Sequence, residues 1–405
     1  MEDQAPIGLR IKRHRERAGI SRPVLGDRIN RSSDWVKQIE NGVLQPPKLP
    51  MLLAIADALG LADLAELTGN GHAVSVNLYA GARHKSLGDV QAALTDFRRP
   101  SPGRAHNVAH LAERLRLAWE VRHASPDHRT QLGAILPSLI RDAQEAARTP
   151  GSGRRQARRV LAGVYQLVDF FVAYQRDSSL VWMVADRALE QAYEADDPYL
   201  VAASSWSMVQ ALRDSGRWDE ALDLIESGTE ILAPYLDRDD TPNDWRGITG
   251  ALQAEAALVQ ARRGRHGDAW AAWDRADRWA QKLGPVYRHI QTSFGQAVQG
   301  ANAVTLGVDL RRSGEALRAA RALDEETIVS VPRRSRHLIE VARAYGQRDE
   351  GAAVLALLDK AHRTAPETIS FNGFAKNLLL ELSKRPPVGM TKDVRELCQR
   401  VGVAA

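Results

Sequence analysis

The run from Ile7 to Gly69 constrains this chain more than any other feature, because its apolar spacing and turn residues fit short helices joined at tight corners. Ile7, Ile11 and Ala18 fall at helical spacing among Arg10, Lys12, Arg13, Arg15 and Arg17, which predicts a short helix with a basic outer face. Gly19 stops it. Ser21 is placed to cap a second helix with Pro23 in its first turn, running through Val24, Leu25 and Ile29 to Asn30. A third helix reads SSDWVKQIE, capped by Ser32 and closed by Asn41-Gly42, with Val36 and Ile39 turned inward. After VLQPPK, the apolar run LPMLLAIADALG suits a helix buried beneath the others, and LADLAELTG supplies a fifth.

The third helix has an unusual outer face. Ser33, Asp34, Lys37 and Gln38 project from it. A single helix fits the major groove of DNA, and short polar or amide side chains near its N-terminal end reach base edges. Gln pairs with adenine in two places; Asp accepts from the cytosine amine but repels phosphate, so it has to be aimed at a base. Trp35 has two readings, packing on the sugar-phosphate backbone or thymine methyls, or covering the seam between helices.

These residues resemble the bacterial Xre and phage-repressor helix-turn-helix family. The matching positions are Ile11-Lys12, Arg15, Gly19-Ile20-Ser21, Leu25, and Ser32 through Val36, Ile39, Glu40, Asn41 and Gly42. The resemblance implies that Arg15 pairs with Glu40 and braces the third helix. It also implies that Ser32, Ser33, Asp34 and Gln38 reach bases, and that Arg22, Asn41 and Lys48 lie near phosphates or the minor groove. Arg22-Pro23, Arg31 and His14 depart from the family pattern.

Total charge says little about DNA. The chain carries +5 overall, but its first 70 residues hold 10 Lys or Arg against 9 Asp or Glu, so attraction has to come from local layout. Only 9 of the 55 basic residues are Lys, and the Arg and Ala richness reads as coding bias as much as a binding signature. A single Cys398 excludes an internal disulfide framework. No apolar run is long enough to span a bilayer and no apolar leader precedes Pro6, so a cytoplasmic protein without membrane contact is expected.

Residues 71–107 read as a linker with one helix in KSLGDVQAALTDF, setting the distance to the remainder or pairing with its twin in a dimer. Residues 108–405 are helical throughout and carry similar corners in ALRDSGRWDEALDLIESG, VQARRGRHGDAWAAWDRAD and ARAYGQRDEGAAVLALLDKA. Each has Gly216, Gly264 or Gly346, then a small residue at Ala221, Ala269 or Gly351, allowing a tight corner and close helix approach. A degenerate copy occupies residues 173–192. This resembles the tetratricopeptide repeat family, although the glycine spacings of 48 and 82 require longer helices or inserted loops.

An all-α fold is therefore expected: a five-helix helix-turn-helix DNA-binding domain over 1–70, the linker, and a tetratricopeptide-like α-solenoid with a concave face. Seven of nine Trp lie between 182 and 279. Trp206 with Gln210, Gln253 with Gln260, and Gln299 with Asn302 share helix faces, and amides beside tryptophan suit a peptide or small-molecule effector. The sequence offers no phosphate-cradling loop, HExxH, Cys pair or nucleophile elbow, so no catalytic residues, metal or cofactor are expected. PGSGRR at 150–155 reads as a turn between helices, and His106 with His110 as a surface pair. The expected function is a sequence-specific transcriptional regulator acting as a homodimer on double-stranded DNA; the alternative is a protein-interaction adaptor.

Overall fold

The computed structural model describes residues 6–29, 31–44, 47, 49–59, 61, 65–68, 83–97, 107–175 and 178–403. Among these residues there is no strand. Asn30, Lys48, His106 and most of the expected linker lie outside them. The chain forms two compact units, divided between Ala82 and Arg83.

The first unit contains α1 (Ile7–Arg17), α2 (Arg22–Arg28), α3 (Ser33–Glu40), α4 (Leu49–Ala58) and α5 (Ala65–Thr68). The caps read from the sequence are present. Ser21 Oγ accepts from the Val24 amide at 3.4 Å, and Ser32 Oγ from the Trp35 amide at 3.1 Å. Gly19 and Gly42 take φ of +65° and +70°, the left-handed corners that end α1 and α3. Ile11, Leu25, Val36, Ile39, Ile55 and Leu67 make the core, each such side chain contributing about 1.5–3 kcal/mol on burial. Ala18 is exposed as the C-cap of α1, whereas Arg15 turns inward rather than joining the basic outer face.

Two glycines that sequence reading passed over set the spacing of this unit. A Cβ on Gly8 would lie 2.1 Å from the Ile39 carbonyl oxygen, and one on Gly26 would lie 2.4 Å from that of Arg31. Backbone has come into contact where only hydrogen fits. Gly26→Val is expected to cost about 1–3 kcal/mol by forcing α2 away from α3. Hydrogen exchange in the full chain would show this as faster exchange over residues 22–40; unchanged exchange would mean that the corner yields freely.

The second unit opens with α6 (Leu87–Leu94), the helix expected in the linker. It is not a free spacer. Leu87, Val90, Ala93 and Leu94 are buried with Leu132 and Leu136 in the same core, and a Cβ on Gly133 would lie 2.7 Å from Ser86. Helical hairpins follow: α7 (Val108–Ala124) with α8 (His128–Arg148), α9 (Arg154–Val172) with α10 (Ser178–Glu194), and α11 (Pro198–Asp214) with α12 (Trp218–Glu230). Short α13 (Ala233–Leu236) precedes the pairs α14 (Asn243–Arg262) with α15 (His266–Leu283), and α16 (Gln296–Asp309) with α17 (Ser313–Ala322). The last are α18 (Val331–Gly346) with α19 (Gly351–Thr364), then α20 (Pro366–Ser370), and α21 (Gly373–Lys384) with α22 (Thr391–Val401). PGSGRR lies at the turn between α8 and α9, with Gly151 at φ +143°.

The hairpin corners explain the irregular glycine spacing. Gly216 and Gly264 do take positive φ, at +79° and +73°. Between Gly264 and Gly346 lies the further pair α16 and α17, turned on Arg311 at φ +60° instead of a glycine. Gly346 is not a corner residue either: it ends α18, where a Cβ would meet Leu378 at 2.8 Å, and the left-handed position is Asp349 at φ +58°.

First helices of successive hairpins pack on one another from α7 through α9, α11, α14 and α16 to α18, and α18 returns to pack on α7. The stack closes into a ring. His123 on α7 fastens it: burial, then the charge of Arg122, lowers its pKa to about 3, so the ring is neutral. Its Nε2–H donates to the Ile290 carbonyl at 2.6 Å, and its Nδ1 accepts from Ser330 Oγ at 2.9 Å. The carboxylate of Glu367 accepts from the Arg129 amide at 2.6 Å and from Thr130 Oγ1 at 2.5 Å, capping the N-terminus of α8 across the ring.

Inside the ring, ion pairs run from helix to helix. Arg213 meets Glu255 and Asp214, Arg262 links Asp214 to Asp309, and Arg343 links Asp309 to Glu340, which also holds Arg336. Four successive inner helices are joined by charge.

Candidate nucleic-acid interface

The presentation of α3 depends on one buried carboxylate. Glu40, at the end of α3, has a fully buried side chain, accepting from Arg15 Nε at 2.5 Å and Arg15 Nη2 at 3.1 Å. Arg22 Nε adds a third hydrogen bond at 2.8 Å, and Arg15 Nη1 goes on to the Ile20 carbonyl at 2.9 Å. Burial alone would raise the Glu40 pKa; hydrogen bonds and charge from Arg15 and Arg22 outweigh it and hold the carboxyl below its ordinary value. The network ties α1, α2 and α3 into one body. Arg22, placed near phosphate by resemblance, spends its Nε here, with its side chain one-third exposed.

The outer face of α3 is free of such commitments. Ser33, Asp34, Lys37 and Asn41 are exposed and Gln38 is half-buried beside them, while Val36 and Ile39 hold the inner face. Gln38 Nε2 donates to Asp34 Oδ2 at 2.7 Å, an exposed pair one turn apart that pre-orients the amide beside the carboxylate. Ser32 is occupied as the cap. Trp35 is half-buried against the core and carries the Arg31 guanidinium 5.7 Å from its ring, so Arg31 stands over the edge of the helix. His14 lies 3.8 Å from Glu66.

The expected effector residues do not converge. Gln299 is fully buried, its Nε2 donating to the Trp273 carbonyl at 3.0 Å while Trp273 Nε1 donates back to the Gln299 carbonyl at 3.1 Å. Asn302 Nδ2 donates to Gln299 Oε1 at 3.2 Å, and Gln253 Oε1 accepts from Arg275 Nε at 2.9 Å. Gln299 thus satisfies buried polar groups between two helices, whereas the Asn302 bond stays within its own helix and the Gln253–Arg275 bond is exposed. Gln210 and Gln260 are half-buried on α11 and α14. Trp206 is buried, stacked on Phe170 with ring centres 5.8 Å apart. Arg122 and Arg333 beside that pair were passed over in the sequence, because Arg there is indistinguishable from the general Arg richness.

Among the described residues no helix is long and apolar enough to cross a membrane, and no group of His, Cys, Asp and Glu is placed to hold a metal ion. Residues 6–68 match the family model described as Helix-turn-helix domain. No curated protein matches the chain. Among solved structures, Bacillus thuringiensis PlcR in complex with the peptide PapR7 and DNA is 13% identical, with TM-score 0.31, over 87% of this chain and 99% of that one. ComR from S. thermophilus, in complex with DNA and its signalling peptide ComS, is 21% identical, with TM-score 0.20, over 68% of this chain and 94% of that one. Superpositions this loose leave the functional reading to the residues themselves. Matched by the family model and assembled around the Arg15–Glu40–Arg22 network, residues 6–68 are a helix-turn-helix domain.

Proposed function

We propose that this protein is a sequence-specific transcriptional regulator that binds double-stranded DNA as a homodimer and carries a peptide or small-molecule effector site in its helical-repeat unit. The observation that carries the reading is the outward face of Ser33, Asp34, Lys37 and the half-buried Gln38 on a capped helix, braced from behind by a buried charge network. An adaptor has no use for base-reaching side chains on a protruding helix. On this reading the repeats are tetratricopeptide-like, the protein works in the cytoplasm, and it has no catalytic activity. Lys37 and Asn41 contact phosphate, and Gln38 and Asp34 read bases.

Mapping bound sites across the genome of its host and titrating the full chain against one of them tests this. Two-fold related half-sites about one helical turn apart are expected, with affinity falling steeply as salt rises because each phosphate contact releases a counterion. Binding that is flat in salt, or indifferent to sequence, would move the weight to the adaptor reading.

A further inference from the structure

The guanidinium groups of Arg213, Arg336 and Arg343 inside the ring each meet a carboxylate. Among the described residues, Arg122 on α7 meets none. It is 7% exposed, its Nε and Nη1 donors have no hydrogen-bond partner among those residues, and the face of Phe170 lies 4.8 Å from it. Burial, then the like charges of Arg333 and Arg129, pull its pKa down to about 9. A buried charge in this position costs folding free energy until a counter-charge meets it.

Its surroundings describe the missing partner. Arg333 on α18, half-buried, donates from Nη2 to the Thr292 carbonyl at 2.9 Å, with its guanidinium 6.0 Å from the Trp206 ring. Trp206 stacks on Phe170, and Phe170 meets Trp119 edge-on with ring centres 5.5 Å apart. Trp119 also forms part of the wall of an open cavity of about 880 Å³. Two guanidinium groups thus flank one aromatic cluster, and its Trp119 lines the open space. A guanidinium presents its donors in a planar fork that matches a carboxylate, and flat aromatic faces take an apolar body beside it.

We propose that Arg122 and Arg333 receive the carboxylate of a small organic acid whose apolar body lies against Trp119 in the adjoining cavity. The proposal rests on reading the repeat unit as the effector-binding part, and names the chemistry it recognises. The test is tryptophan-fluorescence titration of the full chain with phenylacetate, phenylacetamide and inorganic phosphate. Phenylacetate is expected to bind at least about tenfold tighter than the amide, with no competition from phosphate, because only the acid supplies a charged planar fork beside an apolar body.

Arg122→Gln should remove that preference without lowering the melting temperature, since it deletes an uncompensated charge, and Arg333→Gln should weaken it. A pentapeptide ending in Phe, with its terminus free or amidated, separates the sources of the carboxylate. Tighter binding of the free-ended peptide than of phenylacetate would assign the site to a chain terminus, and the reverse to a small acid. Equal affinity for acid and amide, no binding of either acid form, or an undiminished preference in Arg122→Gln would overturn the proposal. DNA affinity measured with and without phenylacetate distinguishes the two readings: acid binding that leaves DNA affinity unchanged keeps this site and removes its sensor role.

Discussion

Glu40→Ala is expected to abolish DNA binding by unfolding the helix-turn-helix unit while the repeat unit stays folded. Removing one partner of a buried ion pair costs about 3–5 kcal/mol, because the remaining charge stays buried and unmet. Here two arginines lose their acceptor, and Arg15 is the more deeply buried of them. A domain of this size holds only a few kcal/mol in reserve. Hydrogen exchange of the full chain should show rapid exchange over residues 7–44 and unchanged protection beyond residue 107. The carboxyl also fixes a pH dependence. With its folded pKa lowered, Glu40 contributes stability that is present above the ordinary glutamate value of 4.5 and is lost as pH falls through the depressed value. Glu40→Gln should lack that acid-sensitive component; wild-type and Gln variants with the same acid profile would contradict it.

The second large effect is expected inside the ring. Arg213 and Glu255 have side chains 7% and 8% exposed, and Glu255→Ala should lower the stability of the repeat unit by about 3–5 kcal/mol. Arg213 keeps Asp214 at 3.2 Å, which places the loss toward the lower end. Replacing both residues, as Arg213→Met with Glu255→Leu, should recover most of the loss by removing two desolvation penalties together. Thermal unfolding of the full chain measures both. A double variant as unstable as the single one would show that the charge ladder holds these helices through more than pairwise attraction.

The head was legible in the sequence because its signals are local. Ser21, Ser32, Gly19 and Gly42 act within a few residues of themselves, and Val36 with Ile39 declares one face of a short helix. Gly8 and Gly26 escaped because what they accommodate, the backbone of Ile39 and Arg31, comes from another helix or from beyond the corner. In the repeat unit the helical character and the corners at Gly216 and Gly264 were readable, but the corners at Arg311 and Asp349 and the closure of α18 on α7 were not. Bonds such as His123 to Ile290 and Glu367 to Thr130 join residues far apart in the chain, and no periodicity records them. The same limit hides the surroundings of the expected effector residues. Gln299 looks like any surface amide until Trp273 is placed against it, and Arg122 looks like any helix arginine until its buried surroundings are seen, which among the described residues hold no acid paired with it.

The most direct measurement compares Gln38→Ala with the unaltered full chain on a mapped site and on random DNA at one salt concentration. If the Gln38 amide reads a base, the variant loses about 1–3 kcal/mol on the mapped site and nothing on random DNA. An equal loss on both, or no loss on either, would contradict base reading by the outer face of α3.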